Sequence, residues 1–236
     1  MVSLMKLQDI KIKGFIPLSM LDWPGKICSV IFLAGCNFRC PFCHNHRLVV
    51  GYDSIPDFPL DEMVTYLKNR KGWIDGVTVT GGEPTINPNL LELLQLIKRL
   101  EFSVKLDTNG SNPAVLEKLL DSNLISAISM DIKAPLDDES YSRVAGINAD
   151  VRKIRRSIQV IKKSGVEYFF RTTVCPGLVA ENELKEIKNL IGDDAPYILQ
   201  PFRNLNTLDP KLSDLPEFEL ERFESMQEEF ETRFFT

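Results

Sequence analysis

The sequence predicts an α/β protein built as a partial, open (βα)6 barrel. Two observations carry that expectation. Six short apolar runs alternate with segments of helical periodicity, and the residues suited to chemistry fall directly after the runs. Strand–helix alternation implies βαβ units and a parallel sheet. Six strands are too few to close an eight-stranded barrel, so an open barrel is the natural architecture, with a flat doubly wound sheet as the alternative.

The expected strands are Ile27–Ala34, Gly76–Thr80, Ser103–Asp107, Ala127–Ile132, Glu167–Val174 and Tyr197–Phe202. Each is short and rich in β-branched or aromatic residues, as strands buried on both faces are. Helical patterns cover Leu60–Arg70, Asn87–Leu100, Pro113–Ser122, Val151–Lys163, Glu181–Ile191 and Glu217–Phe234. Pro88 and Pro113 stand where helices begin, Gly165 and Gly192 where they end. With 236 residues and 44% hydrophobic residues, the chain can fill one core, so a single domain over 1–236 is expected. Its core would run from about 25 to 205, with the helix at about 217–234 closing one end of the barrel.

Composition narrows the function. The net charge of −5 argues against a nucleic-acid partner. No run of eighteen apolar residues is present, so no membrane span is expected. The amino terminus, MVSLMKLQDIKIKGF, alternates apolar and charged residues and lacks a signal peptide's apolar core, which points to a cytoplasmic protein. One stretch runs against the overall charge. In VRKIRRSIQVIKK, Val151, Ile154, Ile158 and Ile161 share a helical face and leave Arg152, Lys153, Arg155, Arg156, Lys162 and Lys163 outside. A solvated helix face is the simpler reading, docking onto an acidic partner the sharper one.

Chemistry-bearing residues follow every strand: GCNFRCPFCHN (35–45), GGEP (81–84), DTNG (107–110), DIKAP (131–135), RTTVCPG (171–177) and QPFRN (200–204). That places them on the carboxyl rim of the sheet, where ligands bind in such folds. Five cysteines without an export signal argue for metal binding or catalysis rather than disulfides. Cys36, Cys40 and Cys43 form C-x3-C-x2-C, a spacing that chance would give on the order of 10⁻³ times per chain. Three thiolates on one loop suit an iron–sulfur cluster, and a four-iron cubane so held keeps one iron open. Zinc would want a fourth ligand. His44 and His46 lie close enough, but residues so near in sequence rarely converge on one tetrahedral ion.

C-x3-C-x2-C with an aromatic residue, Phe42, before its last cysteine resembles the signature of radical S-adenosylmethionine (SAM) enzymes. The resemblance extends over nearly the whole chain. Lys13–Asn45 with GGEP, DTNG and DIKAP is similar to the glycyl-radical-enzyme activases, above all to the anaerobic ribonucleotide reductase activating proteins, and more distantly to pyruvate formate-lyase activases.

That resemblance implies a fold of the radical SAM type and the following roles. Cys36, Cys40 and Cys43 would bind a [4Fe-4S] cluster whose open iron is chelated by the methionine moiety of SAM. Phe42, Cys43 and His44 would line the adenine side. Gly81, Gly82 and Glu83 would receive the amino group. Asp131, Ile132, Lys133 and Arg171 would contact SAM, and Asp107 with Thr108 would hold a monovalent cation beside its carboxylate. The physics is consistent: glycines permit close backbone approach, and SAM's charged ends need ionic partners. Arg203 stands where pyruvate formate-lyase activases supply a histidine. The 37 residues from His44 to Thr80 hold no cysteine, so one cluster is expected. Reduced flavodoxin or ferredoxin would supply an electron, and SAM would be cleaved to methionine and a 5′-deoxyadenosyl radical. That radical would take hydrogen from a glycine of a partner enzyme, the anaerobic ribonucleotide reductase. The alternatives are a radical SAM enzyme acting on a small molecule in cofactor biosynthesis and an activase of the pyruvate formate-lyase type.

Cys28, inside an apolar strand, and Cys175, before Pro176, read as packed thiols. Asp107 and Asp131 could equally be helix N-caps if the cysteine loop were ignored.

Overall fold

The computed structural model describes residues 7, 9–216 and 219–230. Its strands are β1 (Ile12–Ser19), β2 (Cys28–Leu33), β3 (Gly76–Gly81), β4 (Ser103–Thr108), β5 (Ala127–Asp131), β6 (Glu167–Val174) and β7 (Tyr197–Pro201). Helices of eight residues or more are α1 (Leu60–Asn69), α2 (Leu90–Arg99), α3 (Pro113–Asp121), α4 (Asp138–Ala145), α5 (Val151–Lys163), α6 (Glu181–Ile191) and α7 (Leu220–Phe230). The strands follow one another in chain order, β1 through β7. β2–β3, β3–β4 and β6–β7 pair in parallel, and β1 pairs antiparallel with β2. From β2 to β7 this is the sequential connectivity of a (βα)6 unit, as the sequence predicts.

Two elements were not expected. β1 falls in the alternating amino-terminal stretch, and the eight-residue α4 lies between β5 and α5. For the carboxy-terminal helix, residues 217, 218 and 231–234 lie outside the described residues. Among the described residues, no helix is long and apolar enough to cross a membrane.

The chain divides into two compact units. The first holds the described residues through Asn37, Arg47–Thr108 and Ala114–Ile128. β2 here is Cys-Ser-Val-Ile-Phe-Leu, with both faces covered except at the partly buried Phe32. α2 buries Leu90, Leu93, Leu94, Leu96 and Ile97 along its apolar stripe, each such side chain contributing about 1.5–3 kcal/mol. Cys28 packs with Trp23, Val30 and Ala127 in a fully buried cluster, the packed thiol that its strand position suggested.

The second unit holds Phe38–His46, Asn109–Pro113 and the described residues from Ser129 onward. α5 turns Ile154, Ser157, Ile158 and Ile161 inward, and α6 buries Leu184, Ile187 and Ile191. Asp150 caps α5 by accepting from the Arg152 N–H, and Glu183 reaches back from α6 to the Ala180 N–H at 2.7 Å.

Candidate active site

In the first unit the end of β3 lies against the segment that leads to Cys36. The Gly82 N–H donates to the Leu33 carbonyl at 2.9 Å, and the Glu83 N–H to the Gly35 carbonyl at 2.7 Å. The glycine pair is a steric necessity there. A Cβ on Gly82 would overlap the Gly35 carbonyl oxygen, and one on Gly81, whose φ is +122°, would overlap the Leu33 backbone. The pair therefore holds the strand end to the cysteine-bearing segment, a demand separate from any ligand.

Glu83 is buried, 1% exposed. Its Oε1 accepts from the Thr85 N–H at 3.0 Å, from the Thr85 hydroxyl, and from the Thr108 hydroxyl at 2.8 Å. It thereby caps the short turn Pro84–Ile86 and ties β3 to β4. On β4, Asp107 pairs with the buried ammonium of Lys105, so a cation already faces the carboxylate expected to hold a monovalent ion.

In the second unit a connected network joins most of the other predicted residues. Asp131, at the end of β5, receives Lys133 Nζ at 3.1 Å and Arg171 Nε at 2.9 Å. Burial alone would raise the Asp131 pKa, but the Arg171 guanidinium and the Lys133 ammonium outweigh it and hold the carboxyl at about 2. Burial pulls Lys133 down, and Asp131 more than restores it, so the ammonium is fixed as a cation. The Ile132 N–H donates to the Arg171 carbonyl at 2.8 Å, and the Thr172 hydroxyl to the Ile132 carbonyl at 2.8 Å, which locks this tripeptide to β6.

The cysteine loop joins the same network. Lys133 Nζ stands 5.8 Å from the centroid of the Phe42 ring. The Cys43 N–H donates to the Cys40 carbonyl at 3.0 Å, closing a tight turn. Burial pushes the Cys43 thiol up, countered by Lys133 and by the Asn45 N–H. His44 Nε2 donates to the Arg203 carbonyl at 2.7 Å, and its ring lies 6.3 Å from that of Phe202. Arg203 thus contributes its main chain to the loop.

The donor chemistry fits an iron–sulfur group: a loop of thiols, a fixed ammonium acting on both Cys40 and Cys43, and a backbone N–H aimed at sulfur. Cys36 belongs to the first unit, Cys40 and Cys43 to the second. Among the described residues, no three His, Cys, Asp or Glu side chains converge as ligands to a single ion would. Ligands to a four-iron cubane stand on different irons and are spread more widely than ligands to one ion. Cys28 and Cys175 are buried thiols, Cys175 pushed up to about 12 by desolvation, as suits packed side chains.

Tyr141 of α4 is a residue that the sequence reading missed. It is fully buried, its hydroxyl accepts from the Lys133 N–H at 3.4 Å, and its ring meets Phe38 edge-on at 6.4 Å. Asp137, which caps α4 by accepting from the Ser140 N–H, was the signal that could have located the helix.

Residues 30–191 match the family model of the radical SAM superfamily. A protein of Methanocaldococcus jannaschii, provisionally named a glycyl-radical enzyme activating enzyme, is 30% identical over 208 residues, which is 87% of this chain and 85% of that one. The pyruvate formate-lyase-activating enzyme of Clostridium pasteurianum is 26% identical over 89% of this chain and 92% of its own. Among solved structures, Streptococcus suis SuiB bound to its precursor peptide SuiA superposes with a TM-score of 0.65 at 15% identity. It covers 85% of this chain, and this chain spans 44% of SuiB. TYW1 with a lysine-pyruvate adduct superposes with a TM-score of 0.61 at 18% identity, over 86% of this chain and 72% of that one. These two likenesses concern the fold.

Proposed function

The chain belongs to the radical SAM superfamily, and from that premise we propose that it installs a glycyl radical on a partner enzyme, the anaerobic ribonucleotide reductase, in the cytoplasm. The observation that carries the proposal is similarity to activating enzymes over 87% and 89% of this chain, with 85% and 92% of those two relatives covered. GTP 3′,8-cyclases, which act on a small molecule, match through 48–56% of the chain. One specific observation favours a second partner. The similarity to the Clostridium activating enzyme keeps pyruvate formate-lyase as the rival substrate.

In this reading the whole chain is one catalytic domain. Cys36, Cys40 and Cys43 hold the [4Fe-4S] cluster. The bound cluster would supply one electron to cleave the SAM sulfonium, giving methionine and the 5′-deoxyadenosyl group that would take hydrogen from a glycine Cα. The protein's own task is to bind and orient. Lys133 and Arg171 would meet the carboxylate of SAM, and the backbone around Gly82 its ammonium, while Phe42 and His44 would flank the adenine. Asp131 holds both cations in place and keeps the Lys133 ammonium charged.

Incubation with SAM, a reductant and each candidate partner, without oxygen, tests this reading. The reductase should acquire the doublet signal of a glycyl radical, with about one 5′-deoxyadenosine formed per radical. A radical on pyruvate formate-lyase instead would transfer the assignment to that enzyme. Abundant 5′-deoxyadenosine with a radical on neither would return the small-molecule reading.

A further inference from the structure

We propose that the exposed basic face of α5 is the docking surface for an acidic one-electron carrier protein of the flavodoxin type. The inference rests on the reading above that the cysteine loop holds a reducible cluster.

Arg152, Lys153, Arg155, Arg156, Lys162 and Lys163 are all exposed, and α5 contains no acidic residue. This reverses the character of a chain whose net charge is −5. The face is also unfavourable for the helix itself. Arg152 and Arg156 are four residues apart, Lys153 and Arg156 three, and like charges at those spacings repel. Arg152 and Lys153 occupy the first turn, where the helix dipole disfavours cations. Asp150 offsets part of this through its ion pair with Arg152, and Asp194 faces Lys162 at 3.8 Å. The inward face needs only Ile154, Ser157, Ile158 and Ile161. Mixed charges outside would serve packing better, so the cationic surplus calls for a partner that is itself anionic.

Position identifies which partner. The chain entering α5 lies against the cysteine loop. The Arg39 N–H, next to Cys40, donates to the Ala145 carbonyl at 2.8 Å. Gly146 adopts the left-handed region with φ +67°, and a Cβ there would overlap the Arg39 carbonyl oxygen. Only four residues then precede α5, so its cationic first turns begin beside the loop that carries Cys40 and Cys43. A carrier seated there approaches the cluster from the Arg39–Cys40 side, and electron transfer falls steeply with distance.

An outside donor is required. Among the described residues, the two cysteines not on the loop, Cys28 and Cys175, are single buried thiols and supply no second cluster motif. The step balances simply: the reduced carrier loses one electron, the cluster gains one, and no atom is exchanged.

The test is the binding of purified flavodoxin to the cluster-loaded protein, by calorimetry across a salt series. Wild-type affinity should fall steadily between about 50 and 300 mM salt. The triple variant Lys153→Glu/Arg155→Glu/Lys163→Glu should bind about tenfold or more weakly. The milder Lys153→Ala/Arg155→Ala pair should show a smaller loss at an unchanged melting temperature. Reduction by titanium(III) citrate, read as the paramagnetic signal of the reduced cluster, should be the same in all. Flavodoxin affinity unchanged in the triple variant would overturn the proposal, as would loss of binding to the glycyl-radical enzyme with flavodoxin binding retained. Absence of a titanium-reducible signal in the wild type would instead overturn the cluster reading beneath it.

Discussion

Lys105 and Asp107 stand two residues apart on β4, point to the same face, and form an ion pair with the lysine side chain 1% exposed. An ammonium so buried persists only because the carboxylate is beside it. Replacing Lys105 by Met should leave Asp107 with one buried partner fewer and cost about 3–5 kcal/mol in chemical denaturation. The double variant Lys105→Met/Asp107→Asn should recover much of that loss. A second consequence concerns ions. With the lysine in place, SAM affinity should not distinguish potassium from choline buffers, whereas the Lys105→Met protein should bind SAM better in potassium. A wild-type protein that needs potassium would show that the ammonium does not replace the ion.

Iron content follows the loop. Anaerobically reconstituted protein should carry about four iron and four sulfide per chain. Alanine at Cys36, Cys40 or Cys43 should abolish this, and alanine at Cys28 or Cys175 should not. Both of the latter thiols are buried, and burial raises the pKa of each. Zinc in place of iron after anaerobic purification would count against the cluster.

SAM recognition should separate from iron binding. Lys133→Ala removes an ammonium that Asp131 holds at 3.1 Å, and Arg171→Ala removes the other cation on that carboxylate. Each should weaken SAM binding about tenfold or more, the usual worth of a charge-assisted contact, while sparing iron. Equal SAM affinity in both variants and the wild type would remove these residues from the site.

The parallel strands were legible because burial on both faces writes itself as unbroken apolar runs, as in Cys28–Leu33. β1 was harder. It is a sheet edge carrying Pro17 and the exposed Ile16 and Leu18, so its pattern is only half apolar. α4 buries only Tyr141, Val144 and Ala145 in a short polar segment, too few positions to show a period. Motifs marked candidate residues but not what they touch. The Glu83 carboxylate proved to be a cap and inter-strand tie, and the glycine pair proved to be a close backbone approach. Those roles depend on pairing between strands distant in sequence, which no local pattern encodes.

Asp131 should also leave a mark on acid stability. Its carboxyl lies at about 2 in the folded chain against an ordinary 3.8. Because the folded value is depressed, the stabilisation is fully present above the unfolded value and is lost as pH falls from about 4 toward about 2. A shift of that size corresponds to roughly 2 kcal/mol. Asp131→Asn removes the titrating group and leaves Lys133 and Arg171 facing a neutral amide. At neutral pH the variant should therefore unfold at lower urea than the wild type, and the gap should narrow as the wild-type carboxylate becomes protonated. Other carboxylates titrate equally in both proteins, so the difference between the two urea midpoints isolates this one group. Midpoints measured at about pH 6, 4 and 3 suffice. A gap that stays constant across that range would mean that Asp131 draws no net stability from its two cations.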